Sequence, residues 1–248
     1  MGLWKNFLLT LRQYFKSSQI TRLFTALIFV LLLILTTLSS SFSFTPQPKI
    51  HPLPPALSNW QDKTNSGDYF DQIKPIQVGY FVWSQFPIKC YVKLPNIDNR
   101  KSQNWLNTVV NTIIEWNPYL PLVLVNKQED ADIVILQQTP PLQKQPGRPP
   151  RARSAETRYQ IYTTDDDLLS HRFSILLSPS LTGEQLKASV RHEFGHALGI
   201  WGHSNLVTDA LYYSQVRNPP PISPRDINTL KRIYQQPTSF GWRIGKST

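Results

Sequence analysis

The chain has 248 residues and a formal net charge of +10, from 26 Lys and Arg against 16 Asp and Glu. That length fits one domain of ordinary size, and a single cysteine, Cys90, excludes a disulfide within the chain. Five of the cations, Lys5, Arg12, Lys16, Arg22 and Lys49, lie in the first 50 residues, which carry no acid, so the remainder is only mildly basic.

Residues 1–44 read as a basic leader followed by an apolar run, Leu23 to Leu38, long for the core of a signal peptide and short for a spanning helix. An uncleaved anchor and a removable signal peptide both fit: the long leader and missing A-x-A site favour the first, Ser39, Ser40 and Ser41 the second. Either way the cations before the run are expected to stay in the cytoplasm, with everything after residue 44 on the far side of the membrane. Membrane contact is therefore expected through residues 23–38, and nucleic acid is not expected as a partner.

Residues 45–74 are expected to be a Pro-rich linker, because five prolines between Thr45 and Asn59 fix φ and remove backbone donors. A globular domain is expected over 75–240, with 241–248 as a tail. The alternation of Ile88 to Leu94 predicts a strand. Asn99 to Trp116 predicts an amphipathic helix, with Trp105, Val109 and Ile113 four apart and its end before Pro118. Leu122–Val125, Asp132–Leu136, Thr157–Tyr162 and Phe173–Leu177 are short strand candidates.

Between them, Lys144 to Arg158 holds Arg148, Arg151, Arg153 and Arg158 with three prolines and reads as an exposed loop. It is either plainly solvated or a contact for anionic lipid, polysaccharide or acidic substrate. Asp165, Asp166 and Asp167 form either a solvated acidic turn or oxygen ligands for a structural calcium ion. Thr182 and Gln185 stand at capping-box spacing before a helix expected over Gly183–Gly199. Its Leu186, Val190, Phe194 and Ala197 fall on one face, and Gln185, Ser189, His192, His196 and Gly199 on the other. A last helix is expected over Pro224–Tyr234, with Ser223 as N-cap and Ile227, Leu230 and Ile233 as its apolar stripe.

The segment Arg191 to Ser204, RHEFGHALGIWGHS, carries the chemistry. Its H-E-x-x-H sets His192 and His196 one helical turn apart, so both reach one ion from the same face, with the Glu193 carboxylate beside it. Gly199 is free to adopt positive φ and turn the chain, returning His203 as a third nitrogen ligand. Three protein ligands leave a fourth position for water, the arrangement of a catalytic zinc site. His51 and His171 have no partner at ligand spacing and are assigned no role.

H-E-F-G-H-A-L-G-I-W-G-H-S resembles the metzincin zinc signature H-E-x-x-H-x-x-G-x-x-H, and Ser204 after the third histidine looks like the matrixin branch. ADIVI (131–135), ALYY (210–213) and DINTLKRIY agree, so the resemblance covers roughly residues 76 to 236. It implies an α+β, zincin-like domain: a twisted five-stranded mixed sheet, mostly parallel with an antiparallel edge strand, and three helices. It implies one catalytic zinc on His192, His196 and His203, and Glu193 as catalytic base. The chain departs at the methionine turn: its only methionine is Met1, and Tyr212 stands where the family's methionine packs under the imidazoles. No propeptide cysteine motif is present, and Cys90, inside a strand, reads as a core residue.

A monomeric zinc endopeptidase is thus expected, cutting peptide or protein substrates outside the cytoplasm, either anchored or secreted. The alternatives are a zinc-containing peptidoglycan-directed hydrolase, its basic loop holding an anionic wall polymer, and a catalytically weak binding module.

Overall fold

In the computed structural model, which describes residues 26–28, 45–94, 99–145 and 147–245, the alternation after residue 87 becomes strand β1 (Ile88–Val92). Ile88 and Cys90 are fully buried while Lys89 faces solvent. The strands that follow are β2 (Leu122–Leu124), β3 (Ile133–Gln137), β4 (Gln143–Gln145), β5 (Arg148–Arg151), β6 (Ala155–Thr163) and β7 (Leu169–Leu177). Five of them form one mixed sheet in the order β2-β1-β3-β7-β6, parallel except for β6, which is antiparallel to β7 and lies at an edge. The protein is therefore α+β, built on a five-stranded mixed sheet. Its apolar run over 23–38 lies outside the described residues except for 26–28, and among the described residues no helix is long and apolar enough to cross a membrane.

Residues paired across antiparallel strands share a face. Thr157 lies opposite Ile175 and Tyr159 opposite Phe173, both fully buried, so Thr157 and Tyr159 point to the side on which the helices pack. That side also presents Ile133 and Ile135 of β3, likewise fully buried.

The short helix α1 (Pro55–Asn59) is followed by α2 (Arg100–Ile114), α3 (Gly183–Ala197) and α4 (Pro224–Tyr234). Asn99 caps α2 by accepting from Ser102 N at 2.9 Å, and Trp105, Val109 and Ile113 bury its inner face. Ser223 and Asp226 form a reciprocal capping box on α4, whose Ile227, Leu230 and Ile233 are fully buried. The expected capping box on α3 does not form: Thr182 precedes the helix with no side-chain bond, and Gln185 turns into the cleft instead.

Three expected boundaries are corrected. Residues 45–74 are not a linker, since one folded unit begins at Thr45. Lys49, which keeps its N–H between prolines, exchanges two 2.9 Å backbone bonds with Thr238; Leu57 is fully buried, and Trp60 Nε1 donates to Asn228 of α4 at 2.9 Å. Residues 241–244 of the expected tail are integrated as well: Gly241 N donates to Leu169 O at 2.8 Å, Leu169 N to Trp242 O at 3.0 Å and Ile244 N to Asp167 O at 2.8 Å. The basic stretch from residue 144 is not a loop but the antiparallel ribbon β4–β5, followed by the start of β6.

Candidate metal centre and cleft

Along α3, His192 and His196 sit one turn apart and turn the same way, their Nε2 atoms 3.1 Å from each other. Each ring is fixed from behind. Nδ1 of His192 lies 3.0 Å from Ala210 O and Nδ1 of His196 lies 2.7 Å from Ile200 O. A carbonyl only accepts, so both Nδ1 atoms carry the proton and both Nε2 lone pairs face the cleft.

The chain then turns at Gly199. Its φ is +124°, and a Cβ there would lie 2.4 Å from Phe81 O, so both backbone and space call for glycine. His203 follows Gly199 by four residues, whereas the third histidine of the signature it resembles follows the glycine by three. The sequence reading passed over that extra residue. It is taken up in tight steps, Trp201 N donating to Gly199 O at 2.8 Å and Gly202 N to Ile200 O at 3.0 Å. Gly202 is then pressed so close to the 70–72 turn that a Cβ would lie 2.5 Å from Gln72 O. His203 still arrives: its ring is 5.2 Å from that of His192 and 4.9 Å from that of His196, and the ligand atoms of all three lie within 4.8 Å of one another.

Among the described residues this trio is the cluster of His, Cys, Asp and Glu side chains whose ligand atoms converge. Asp165, Asp166 and Asp167 instead make the β6–β7 turn, where Asp167 takes a φ of +62°. Burial holds the His196 imidazole well below its ordinary range and brings His203 to about 4, so both are neutral at pH 7, the form that binds metal. Three imidazole nitrogens without thiolate or carboxylate suit a borderline ion such as zinc and leave coordination positions free.

Glu193 is half-buried beside the triad, and burial, the largest influence on it, raises its carboxyl pKa against the opposing pull of His192 and Thr157. The Thr157 hydroxyl donates to Glu193 Oε2 at 2.6 Å and lies 2.9 Å from the Glu193 carbonyl. Thr157 was legible only as a strand residue, because nothing in its local sequence marks a tertiary partner.

The turn over 209–213 closes the floor. Leu211 is fully buried, and a Cβ on Gly195 would lie 2.6 Å from its Cδ2. Tyr212, expected under the imidazoles, is partly exposed; it lines the cleft with its ring 4.5 Å from that of Tyr213. Asp226, buried at the start of α4, organises the turn by accepting from Ala210 N (2.9 Å), Ser223 N (2.7 Å) and Tyr69 OH (2.6 Å). Ala210 thereby offers its carbonyl to His192 from a held position. Ser204 N donates to Leu211 O at 2.8 Å, joining the segment after His203 to the same turn.

The cleft in front of these residues has a volume of about 1180 Å³ and runs between the start of β6 and the loop through Gln215 and Pro220. Trp201 walls it near His196, the rings 5.8 Å apart, and meets Tyr159 edge-on at 5.3 Å. Compared with known proteins, the chain matches no family model, and it finds no match among the curated proteins.

The remaining histidines lie away from the cleft. His171 is enclosed by Phe81, Trp83 and Phe240 with neither ring nitrogen hydrogen-bonded, and burial brings its pKa to about 3. His51 stacks on Trp242 at 4.4 Å with Nε2 2.7 Å from Phe240 O. Cys90 is a core residue whose thiol burial pushes up to about 12.

Proposed function

We propose that this protein is a zinc-dependent endopeptidase of metzincin type, acting outside the cytoplasm on extended segments of peptide or protein. The observation that carries this reading is the convergence of three imidazoles, two with Nδ1 bonded to backbone carbonyls, next to a half-buried carboxylate at the edge of an open sheet.

His192, His196 and His203 would hold the ion. When bound, zinc supplies Lewis-acid polarisation of a carbonyl and acidifies water towards a pKa of about 7. Glu193 accepts a proton from the attacking water and returns it to the leaving amine nitrogen, as one group acting first as base and then as acid. Thr157 occupies Oε2 of that carboxylate, which leaves Oε1 for the water. The unpaired edge of β6 offers main-chain donors and acceptors to an extended substrate strand, and the cleft lies alongside it. A covalent acyl intermediate is not needed, because water is itself the nucleophile.

The test uses the full chain with metal content assayed, comparing native protein with Glu193→Ala on a mixture of unfolded proteins. Native protein is expected to hold about one zinc and cut, and Glu193→Ala to hold zinc without cutting. Zinc in both proteins and cleavage by neither would leave a binding module in place of the peptidase.

A further inference from the structure

The charged side chains around the cleft are largely neutralised by the protein itself. Arg191 is bidentate to Glu115 at 2.7 and 3.1 Å, Glu156 is paired with Arg158 at 2.6 Å, and Asp209 accepts from Arg225 at 3.0 Å. Arg153 differs. It lines the same cleft and is exposed, and among the described residues no hydrogen bond or ion pair engages it. It shares the lining of that cleft with Glu193, His196 and His203.

The position is set by the fold. Arg153 stands two residues before β6, and its neighbour Ser154 accepts from Gln215 Nε2 at 2.8 Å, so Arg153 is flanked by the edge strand and the loop bordering the cleft. Along the strand it precedes Thr157, at the base, by four residues, roughly 13 Å of extended chain. A substrate strand lying beside β6 passes Arg153 within a few residues of its scissile bond. An uncompensated cation in a concave, partly enclosed site concentrates positive potential, and a guanidinium matches a carboxylate with two parallel hydrogen bonds.

We propose that Arg153 is a specificity-determining residue that selects substrates carrying a carboxylate close to the scissile bond, supplied by an Asp or Glu side chain or by the substrate's free C-terminus. This rests on the endopeptidase reading, with the selectivity a separate property of the same cleft.

The zinc-loaded full chain, with Arg153→Gln and Arg153→Glu, is presented with a peptide library, and cut sites are mapped by mass spectrometry. Defined peptide pairs differing only in Glu against Gln near the cut, or in free acid against amide at the C-terminus, then separate the two sources of the carboxylate. A second arm measures binding of the same uncut peptides to Glu193→Ala by calorimetry. Native protein is expected to favour the carboxylate member of one pair by about tenfold, in kcat/KM and in affinity, the size of one charge-assisted contact. Arg153→Gln erases that preference, and Arg153→Glu turns it towards Lys and Arg.

Cleavage with equal use of both members of each pair, or an Arg153→Gln variant that slows all peptides alike, overturns the assignment and leaves the peptidase reading intact. No cleavage, but Arg153-dependent binding of the carboxylate peptide, overturns the peptidase reading and keeps the assignment. Neither cleavage nor discrimination removes both.

Discussion

The hydroxyl of Thr157, on the sheet's edge strand, donates to Oε2 of Glu193, on the helix that carries two of the three converging imidazoles, at 2.6 Å. One oxygen of the carboxylate is thereby held while the other stays available. Thr157→Val keeps the β-branched shape and removes the donor, so kcat is expected to fall about 10- to 100-fold, the range of a hydrogen bond to a charged group. KM and zinc content should stay near native values, and Thr157→Ser should restore most of the rate. Equal kcat in the valine and native proteins would show that the contact does not orient the base.

Asp226 satisfies Tyr69 OH and the amides of Ala210, Leu211 and Ser223 from a buried position. Asp226→Ala strands four donors at once, with an expected loss of about 3–5 kcal/mol in urea unfolding. Because Ala210 O backs His192 Nδ1, zinc release to a chelator should quicken in any fraction that remains folded. A variant unchanged in both respects would mean that the turn is held by its apolar contacts.

Gly202→Ala tests the one-residue extension before His203. The added Cβ would meet Gln72 O at 2.5 Å and Ile73 Cδ1 at 2.8 Å, so the segment must move outward and carry His203 with it. Zinc affinity, read by competition with a chromophoric chelator, should weaken by about tenfold, a usual cost of disturbing a ligand's support. Unchanged affinity would place the flexibility in the 70–72 turn instead.

His171 gives the fold a pH dependence of its own. In the folded chain it titrates at about 3 and in the unfolded chain near 6.5, so between these values the unfolded state binds the extra proton. Stability on this account rises with pH from about 3 to about 6.5 and levels off above. His171→Phe removes the term: with chelator present in both proteins, its stability between pH 4 and 6 should depend on pH less steeply, by up to about 1.4 kcal/mol per unit. Parallel slopes would show that protonated His171 is accommodated without unfolding.

What was legible in the sequence divides by the range of the interactions. Period and caps are local, so α2 and α4 emerge with their buried stripes and α4 with its N-cap Ser223, and the imidazoles of H-E-x-x-H converge because a helix puts them one turn apart. The β-branched runs of β1 and β3 were likewise readable from alternation and composition. Lys49 and Leu57 were not: prolines around them suggest an unpaired segment, and the partners that fold it, Thr238 and helix α4, lie more than 160 residues away. Thr157 and Asp226 read as a strand residue and a helix-start acid until the fold brings Glu193, Tyr69 and Ala210 to them, and Arg153 reads as a loop cation until the fold sets it at the cleft. At Thr182 the local signal misled, since Gln185 turns to the cleft rather than back to the helix start.

The composition of the cleft floor bears on its resistance to oxidants. Tyr212 and Tyr213 line the cleft where no thioether does, the only methionine is Met1, and the only cysteine is sealed in the sheet with its thiol at about 12. Peroxide attacks thiolates and thioethers first. In the unit that begins at Thr45 it meets imidazole, phenol and indole at the cleft and a buried, protonated thiol elsewhere, so the site has no sulfur to convert to a sulfoxide or a sulfenic acid.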